Sequence, residues 1–298
     1  MQRINAPIEA YPVIGRDGVR LMAFRCGTGP HRWLLTPGLG TPVLSWKYLF
    51  EHFHRKMTII TWDPRGCYQS AAPDDPDAYR VEDHVEDADA ILEHAGWVDE
   101  SFVTGGWSMG IEIGLELYRR LPNRVAALTL INGAFEHVLR TAFALPKAQT
   151  LLRGVLHTAV IASPLFAPAS HYLLGRKWAL NFLKSLGIVA ANADFFAEVA
   201  SEFRMLNFAN YFRMILKLDE HSARAVLPDV AVPTLITAGD ADKMTPLKVA
   251  EYLNDQITGS ELFIVPDGTH YTTLEFPEMV NERLEQFFRT RVFPQNWE

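Results

Sequence analysis

A serine sits between two glycines in residues 105–112, "GGWSMGIE", with an apolar stretch ahead of it and a helix-like pattern behind. Gly and Ser are ordinary turn residues, so a plain turn is one reading. The other reading is chemical. A strand, then Gly-x-Ser-x-Gly, then a helix describes a nucleophile elbow, whose sharp turn strains the serine backbone and lifts the hydroxyl above the sheet edge. Gly106 and Gly110 then leave room for the neighbouring strand and helix. The Met109 amide falls at a helix N-terminus, where an oxyanion meets both a donor and the positive end of the helix dipole.

A serine hydroxyl is a weak nucleophile until a base removes its proton, and that base is best held by a carboxylate. Two later stretches offer these groups. "TLITAGDADKMTP" supplies Asp240 and Asp242 after one strand-like run, and "LFIVPDGTHYTTLEFPE" supplies His270 after the next. With Ser108 the chain order is Ser, Asp, His, each in a loop that follows a separate strand.

The elements needed to hold these loops are visible in the pattern. Short apolar runs "YPVIG", "GVRLMAF", "RWLLTPGLG" and "KMTIITWD" are separated by Gly and Pro and read as strands. Val81, Val85, Ala88, Ile91, Leu92 and Ala95 recur at helical spacing. "SFVTGGW" and "RVAALTLING" are strands, with the helix "IEIGLELYRRL" between them. The same rhythm returns late, as "VPTLITAGD", "PLKVAEYLNDQ", "ELFIVPDG" and a closing helix "PEMVNERLEQFFRTR". Strands alternating with helices predict a mostly parallel central sheet flanked by helices on both faces. Residues 134–226 break the rhythm with apolar residues at helical spacing and read as a helical insertion. We expect a single domain over 1–298, with core segments 1–133 and 227–298 around a cap at 134–226.

Composition narrows the function classes. With 48% hydrophobic and 21% charged residues the chain has a globular make-up, and a formal charge of -7 argues against a nucleic-acid partner. The first residues contain no apolar leader segment, and Cys26 and Cys67 fall in no metal-like spacing. Reduced thiols in a cytoplasmic protein are the simplest reading, with one disulfide as the alternative. Residues 154–175 carry no Asp, Glu, Lys or Arg over 22 positions, long enough to cross a bilayer. Pro164 and Pro168 and several polar residues interrupt that run, and no transmembrane segment is expected. His52 and His54 flank one Phe without a third ligand, and no Gly-x-Gly-x-x-Gly follows a strand, so neither metal nor cofactor is expected.

Over essentially its whole length the chain resembles the α/β-hydrolase fold family. The matching stretches are the "GWSMG" elbow, "GDAD" followed by "KMTP", and "DGTHYTTLEFPE". The resemblance implies Ser108 as nucleophile and His270 as base. Counted from Gly239, the family's Gly-x-x-Asp pattern implies Asp242 as the acid, leaving Asp240 to bond loop amides. "TPGLG" at 36–40 resembles the family's His-Gly-x-Gly loop, with Pro37 in place of histidine. This implies the Leu39 amide as a second oxyanion donor beside that of Met109. "DPRGCYQS" at 63–70 resembles Asp-x-Arg-Gly-x-Gly-x-Ser, with Tyr68 in place of the second glycine, and implies a structural role for Asp63 and Arg65.

The chemistry implied is acyl transfer to water, with cleavage of a carboxylic ester as the leading expectation. Carbon–carbon bond hydrolysis of a diketone-type substrate and ligand binding without turnover are the alternatives. The insertion is rich in apolar residues: Leu156, Val160, Ile161, Leu165, Phe166, Tyr172, Leu173 and Leu174, then Phe195, Phe196, Phe203, Met205, Phe208, Tyr211, Phe212 and Met214. Most must pack the cap onto the core, and the surplus predicts a pocket for an apolar small-molecule substrate. A homo-oligomer is compatible with the sequence but carries no signature in it.

Overall fold

A computed structural model describes the backbone of residues 4–142, 146–174, 199 and 202–297, with side chains described outside 142–148 and 164–174. Eight strands form one sheet in the order β1-β2-β4-β3-β5-β6-β7-β8. The first two, β1 (Ile8–Ile14) and β2 (Arg20–Cys26), pair antiparallel, and β2 runs antiparallel to β4 (Met57–Trp62). From β4 onward, through β3 (His31–Thr36), β5 (Phe102–Gly106), β6 (Val125–Ile131), β7 (Thr234–Gly239) and β8 (Glu261–Val265), every pairing is parallel. The central strands β4, β5 and β7 are buried at every residue, as parallel strands covered on both faces must be.

The side-chain period of two sorts these strands into two cores. Along β3, Leu34 faces one core while Trp33 and Leu35 face the other. On the Leu34 side pack α2 (Val81–His94), α3 (Gly110–Arg120) and, further along the chain, Leu247–Gln256. Their apolar stripes carry Val85, Ala88 and Ile91, then Ile113, Leu115 and Leu117, then Val249 and Leu253, all buried. On the Trp33 side pack α1 (Lys47–Phe53) and the closing helix Pro277–Phe287, through Phe50, Phe53, Leu284 and Phe287. The sequence pattern did not announce α1. Only its Leu49, Phe50 and Phe53 repeat at helical spacing, too short a run to stand out.

Between β6 and β7 the described backbone is helical: α4 (Val138–Ala142), α5 (Pro146–Leu174), a 3₁₀ turn at Phe203–Met205 and α6 (Phe208–Glu220). Asn207 caps α6 by accepting from the Ala209 and Asn210 amides. The two ends of this stretch meet in a neck. Glu136 pairs antiparallel with Ser222, His137 N donates to His221 O at 3.1 Å, and Ala223 N donates to Phe135 O at 2.8 Å. Among the described residues no helix is long and apolar enough to cross a membrane. The remaining helices are α7 (Leu247–Gln256), α8 (Thr272–Glu275) and α9 (Pro277–Phe287).

Because β3 and β5 to β8 point the same way, the loops that leave their C-terminal ends share one sheet edge. Those loops carry Leu39, Ser108, Asn132, Asp242 and His270, and a crevice at that edge is where open α/β sheets bind ligands.

Candidate active site

Ser108 follows β5 in a turn that forces it to φ +59°, the left-handed region that costs a non-glycine residue about 1–3 kcal/mol. The turn is pinned by Ser108 N donating to Ile131 O at 3.0 Å and by Ile111 N donating to Ser108 O at 3.0 Å. The two glycines of the motif are required by close approach. A Cβ on Gly106 would lie 1.9 Å from Thr36 O, and one on Gly110 would lie 2.4 Å from the same atom. Strand β3 therefore presses on both glycines, one at the end of β5 and one at the first residue of α3. Thr36 Oγ1 adds a bond to Gly110 O at 2.7 Å.

His270 leaves β8 and is 3% exposed; Asp242 leaves β7 and is 5% exposed. His270 Nδ1 lies 2.9 Å from Asp242 Oδ2. A neutral imidazole that donates from Nδ1 keeps Nε2 as its basic atom. Asp242 is itself held from several sides. Its Oδ1 accepts the Met244 amide at 2.8 Å and the Thr245 amide at 2.9 Å. Its Oδ2 accepts Thr245 Oγ1 at 2.7 Å and Asn132 Nδ2 at 3.3 Å. Burial alone would raise its pKa, but the facing His270 and the Thr245 bonds outweigh burial and hold it below the usual carboxylate value.

The histidine loop is fastened to the serine turn. Trp107, the residue before Ser108, donates its indole N–H to His270 O at 2.7 Å, with the two rings 5.5 Å apart. Asn132, at φ +42° just after β6, also donates to Thr269 O at 3.1 Å and accepts from Thr272 Oγ1. Glu275 on α8 takes both the Thr269 amide, at 2.9 Å, and the Thr269 hydroxyl, at 2.6 Å. Thr245, Asn132 and Trp107 were not singled out in the sequence. Only Asn132 carried a signal, an Asn at a strand end where positive φ is tolerated.

On the other side of Ser108 lies the loop after β3. A Cβ on Gly38 would meet Trp107 O at 2.8 Å and Ser108 Cβ at 3.4 Å, so this loop rests on the serine turn. Among the described residues no acceptor takes the Leu39 or Met109 amide. The 63–70 segment buttresses it. Arg65 is 1% exposed and holds Asp87 through Nε at 2.9 Å and Nη2 at 2.7 Å, and Asp17 through Nη1 at 2.8 Å. Asp63 accepts the Gln69 amide at 3.1 Å, and burial pushes its carboxyl up to about 7.

Residues 34–277 match the family model described as the alpha/beta hydrolase fold. The chain belongs to the α/β-hydrolase fold family. It is 26% identical over 277 residues to serine hydrolase BPHL of Mus musculus, covering 92% of this chain and 84% of that protein. It is 24% identical over 268 residues to a proline iminopeptidase of Thermoplasma volcanium, covering 85% of this chain and 88% of that one. A solved thermophilic esterase from Thermogutta terrifontis superposes with a TM-score of 0.74 at 21% identity, over 95% of this chain and 98% of that one. At that identity the likeness is one of fold.

One expectation for this α/β hydrolase needs correction. Asp240 was expected to bond loop amides, but it is exposed, and among the described residues its carboxylate accepts none. Asp242 accepts the loop amides itself while also facing His270, because its side chain turns inward beneath residues 244 and 245. Of the apolar residues named in 134–226, Ile161 and Met205 are 81% and 59% exposed. Leu156 and Met214 are buried, and the Tyr211 ring lies against Gly40, where a Cβ would meet it at 2.9 Å. The side chains of Leu165, Phe166, Tyr172, Leu173, Leu174, Phe195 and Phe196 lie outside the described residues. Cys26 and Cys67 are buried and unbridged. His52 bonds Glu285 at 2.7 Å, and among the described residues no group of three His, Cys, Asp or Glu could hold a metal ion.

Proposed function

We propose that this α/β hydrolase cleaves a carboxylic ester of an apolar small molecule through an acyl-enzyme intermediate, with no cofactor. Ser108 is the nucleophile, His270 the general base, and Asp242 the carboxylate that orients it. The single observation carrying this reading is the buried Asp242–His270 pair, joined through Trp107 to a serine held at φ +59°. A strained serine, a buried acid and a histidine tied to the serine's own turn have no common structural purpose.

In this mechanism His270 Nε2 takes the Ser108 proton as the oxygen attacks the carbonyl carbon. Asp242 fixes the imidazole tautomer and stabilises the imidazolium that forms. The Leu39 and Met109 amides receive the tetrahedral oxyanion, and losing one such donor costs about 3 kcal/mol of transition-state stabilisation. His270 then protonates the leaving alcohol, and water repeats the sequence on the acyl-enzyme. Residues 134–226 act as a cap that covers the acyl group, with Tyr211 on its inner side. The name serine hydrolase borne by the mouse relative supports the nucleophile. The peptidase name borne by the archaeal relative makes an amide the competing substrate class.

The test is a fluorophosphonate probe with p-nitrophenyl esters from acetate to decanoate and a matching p-nitroanilide. Expected are labelling at Ser108, kcat/KM rising beyond acetate, and weak anilide turnover. Folded Ser108→Ala and His270→Ala variants should each lose several orders of magnitude in turnover. Ester turnover by Ser108→Ala at the wild-type rate would sink the mechanism, and a maximum at acetate would remove the apolar acyl pocket.

A further inference from the structure

We propose that Tyr68 is the positioning residue of the oxyanion loop, its hydroxyl anchoring Gly40 so that the Leu39 amide stays aimed beside Ser108. The proposal rests on the reading of Ser108 and Leu39 given above. It answers a question raised by the sequence: Pro37 replaces a histidine at the start of this loop and offers neither a side-chain donor nor a backbone N–H.

The loop geometry shows where an anchor is needed. Gly38 O accepts the Thr41 amide at 3.2 Å, closing a four-residue turn. In a trans peptide the carbonyl of one residue and the amide of the next point in opposite directions. The bond that draws the Gly38 carbonyl into the turn therefore points the Leu39 N–H out of it. That orientation persists only while the far side of the turn is also held. There the Tyr68 hydroxyl donates to Gly40 O at 2.6 Å. Gly40 itself is at φ +60°, and the Tyr211 ring closes against its Cα. The two carbonyls that bracket Leu39 are thus both engaged, one by the turn and one by Tyr68.

Tyr68 is built for this task at a local cost. Its φ is +49°, in the position where the resembling motif has glycine. A glycine would adopt that conformation without strain, whereas a tyrosine holds it only where its surroundings over-determine it. The surroundings here are rigid. Gly66 N donates to Ala71 O at 2.8 Å and Ser70 Oγ to Asp63 O at 2.7 Å, with buried Arg65 beneath them. The Tyr68 ring packs in one cluster with Leu39, Cys67, Tyr79, Leu206 and Tyr211. Burial also keeps the phenol far above its ordinary pKa, so the hydroxyl remains a donor at any working pH. A loop donor acts on charge that develops only in the transition state, so loosening it lowers kcat rather than raising KM.

The test uses Tyr68→Phe and Tyr68→Gly in the full chain, with Ser108→Ala as the blank and the best p-nitrophenyl ester as substrate. Tyr68→Phe keeps the ring, and Tyr68→Gly restores the motif's glycine; both lack the hydroxyl. In each, kcat should fall by about 10- to 100-fold with KM within about twofold, a smaller loss than deleting a donor outright. Fluorophosphonate labelling should slow, and the affinity of a trifluoromethyl ketone should weaken, by the same factor as kcat/KM. The Tyr68→Phe melting temperature should stay near wild type, so a merely structural role would not produce that split. Wild-type kcat in either variant, or a loss carried by KM, would overturn the proposal. If Ser108→Ala is inactive and the Tyr68 variants are unimpaired, only this inference fails. If Ser108→Ala keeps full turnover, the nucleophile reading fails first.

Discussion

Asp242 and the loop carrying Leu39 sit on opposite sides of Ser108 and are held by very different amounts of structure. Besides His270, Asp242 receives the Met244 and Thr245 amides, the Thr245 hydroxyl and the Asn132 amide group. Among the described residues, the hydrogen bonds of the loop at 37–41 are one turn bond and that of the Tyr68 hydroxyl. The difference follows from what each side must do. A buried carboxylate needs several donors to remain ionised, and each also restricts its rotation. A backbone amide proposed to meet a transient oxyanion needs only orientation, and here two hydrogen bonds supply it, with Trp107, Ser108 and Tyr211 packed against the loop. Redundancy on the acid side predicts tolerance to loss of a single supporting donor, and economy on the loop side predicts sensitivity.

The largest effect tests the acid itself. Asp242→Asn leaves an amide that cannot hold the Nδ1–H tautomer, and turnover should fall about 10⁴-fold, as for a triad acid in general. Asp240→Asn should stay within a few-fold of wild type, since Asp240 is exposed. A reversal of the two would mean that the wrong carboxylate has been assigned. Thr245→Val tests the redundancy. It removes the hydroxyl at 2.7 Å but leaves the Thr245 amide, Met244 and Asn132 in place. The lost bond to a charged group is worth about 1.5–3 kcal/mol of stability, a melting-temperature drop of several degrees, with kcat down less than about tenfold. A loss near that of Asp242→Asn would show that the acid side is as finely balanced as the loop.

The smallest expected effect lies at the neck of the 134–226 segment, where His221 meets Glu112 and Glu116 of α3. Burial would lower the His221 pKa, but its bonds to the two carboxylates outweigh burial and raise it to about 9. A histidine raised in the folded state stabilises fully below its ordinary value of 6.5 and loses that contribution as pH rises through about 9. Glu112 is raised by its own burial, so its cost appears at lower pH than this loss. Arg119 Nε also donates to Glu116, at 2.6 Å. The melting temperature should decline modestly from pH 7 to pH 10, and His221→Gln should flatten that slope. An unchanged slope in the variant would place the titrating group elsewhere.

Much of this site was legible before any coordinate. The elbow glycines were readable because their constraint is local: residues two positions either side of a strained turn must lack a Cβ, and Thr36 O at 1.9 and 2.4 Å shows why. Strand and helix periods were readable because burial on both faces repeats every two or about 3.6 residues. The order Ser, Asp, His followed from strands whose C-terminal loops emerge at one edge. The short α1 escaped, since seven residues give too few repeats to register.

The sequence by itself determined which segments form the parallel sheet, where the serine turn must be sharp, and which loops carry an acid and a histidine. Each of these depends on sterics or periodicity within a few residues. Only the tertiary structure decided that Asn132 reaches Asp242 across 110 positions, that Trp107 reaches His270 across 163, and that Tyr68 reaches Gly40 across 28. Those partners are set by the neighbour order β3-β5-β6-β7-β8 and by the loops that leave it. Such an order arises from how several segments pack at once, and no local window of the chain contains it.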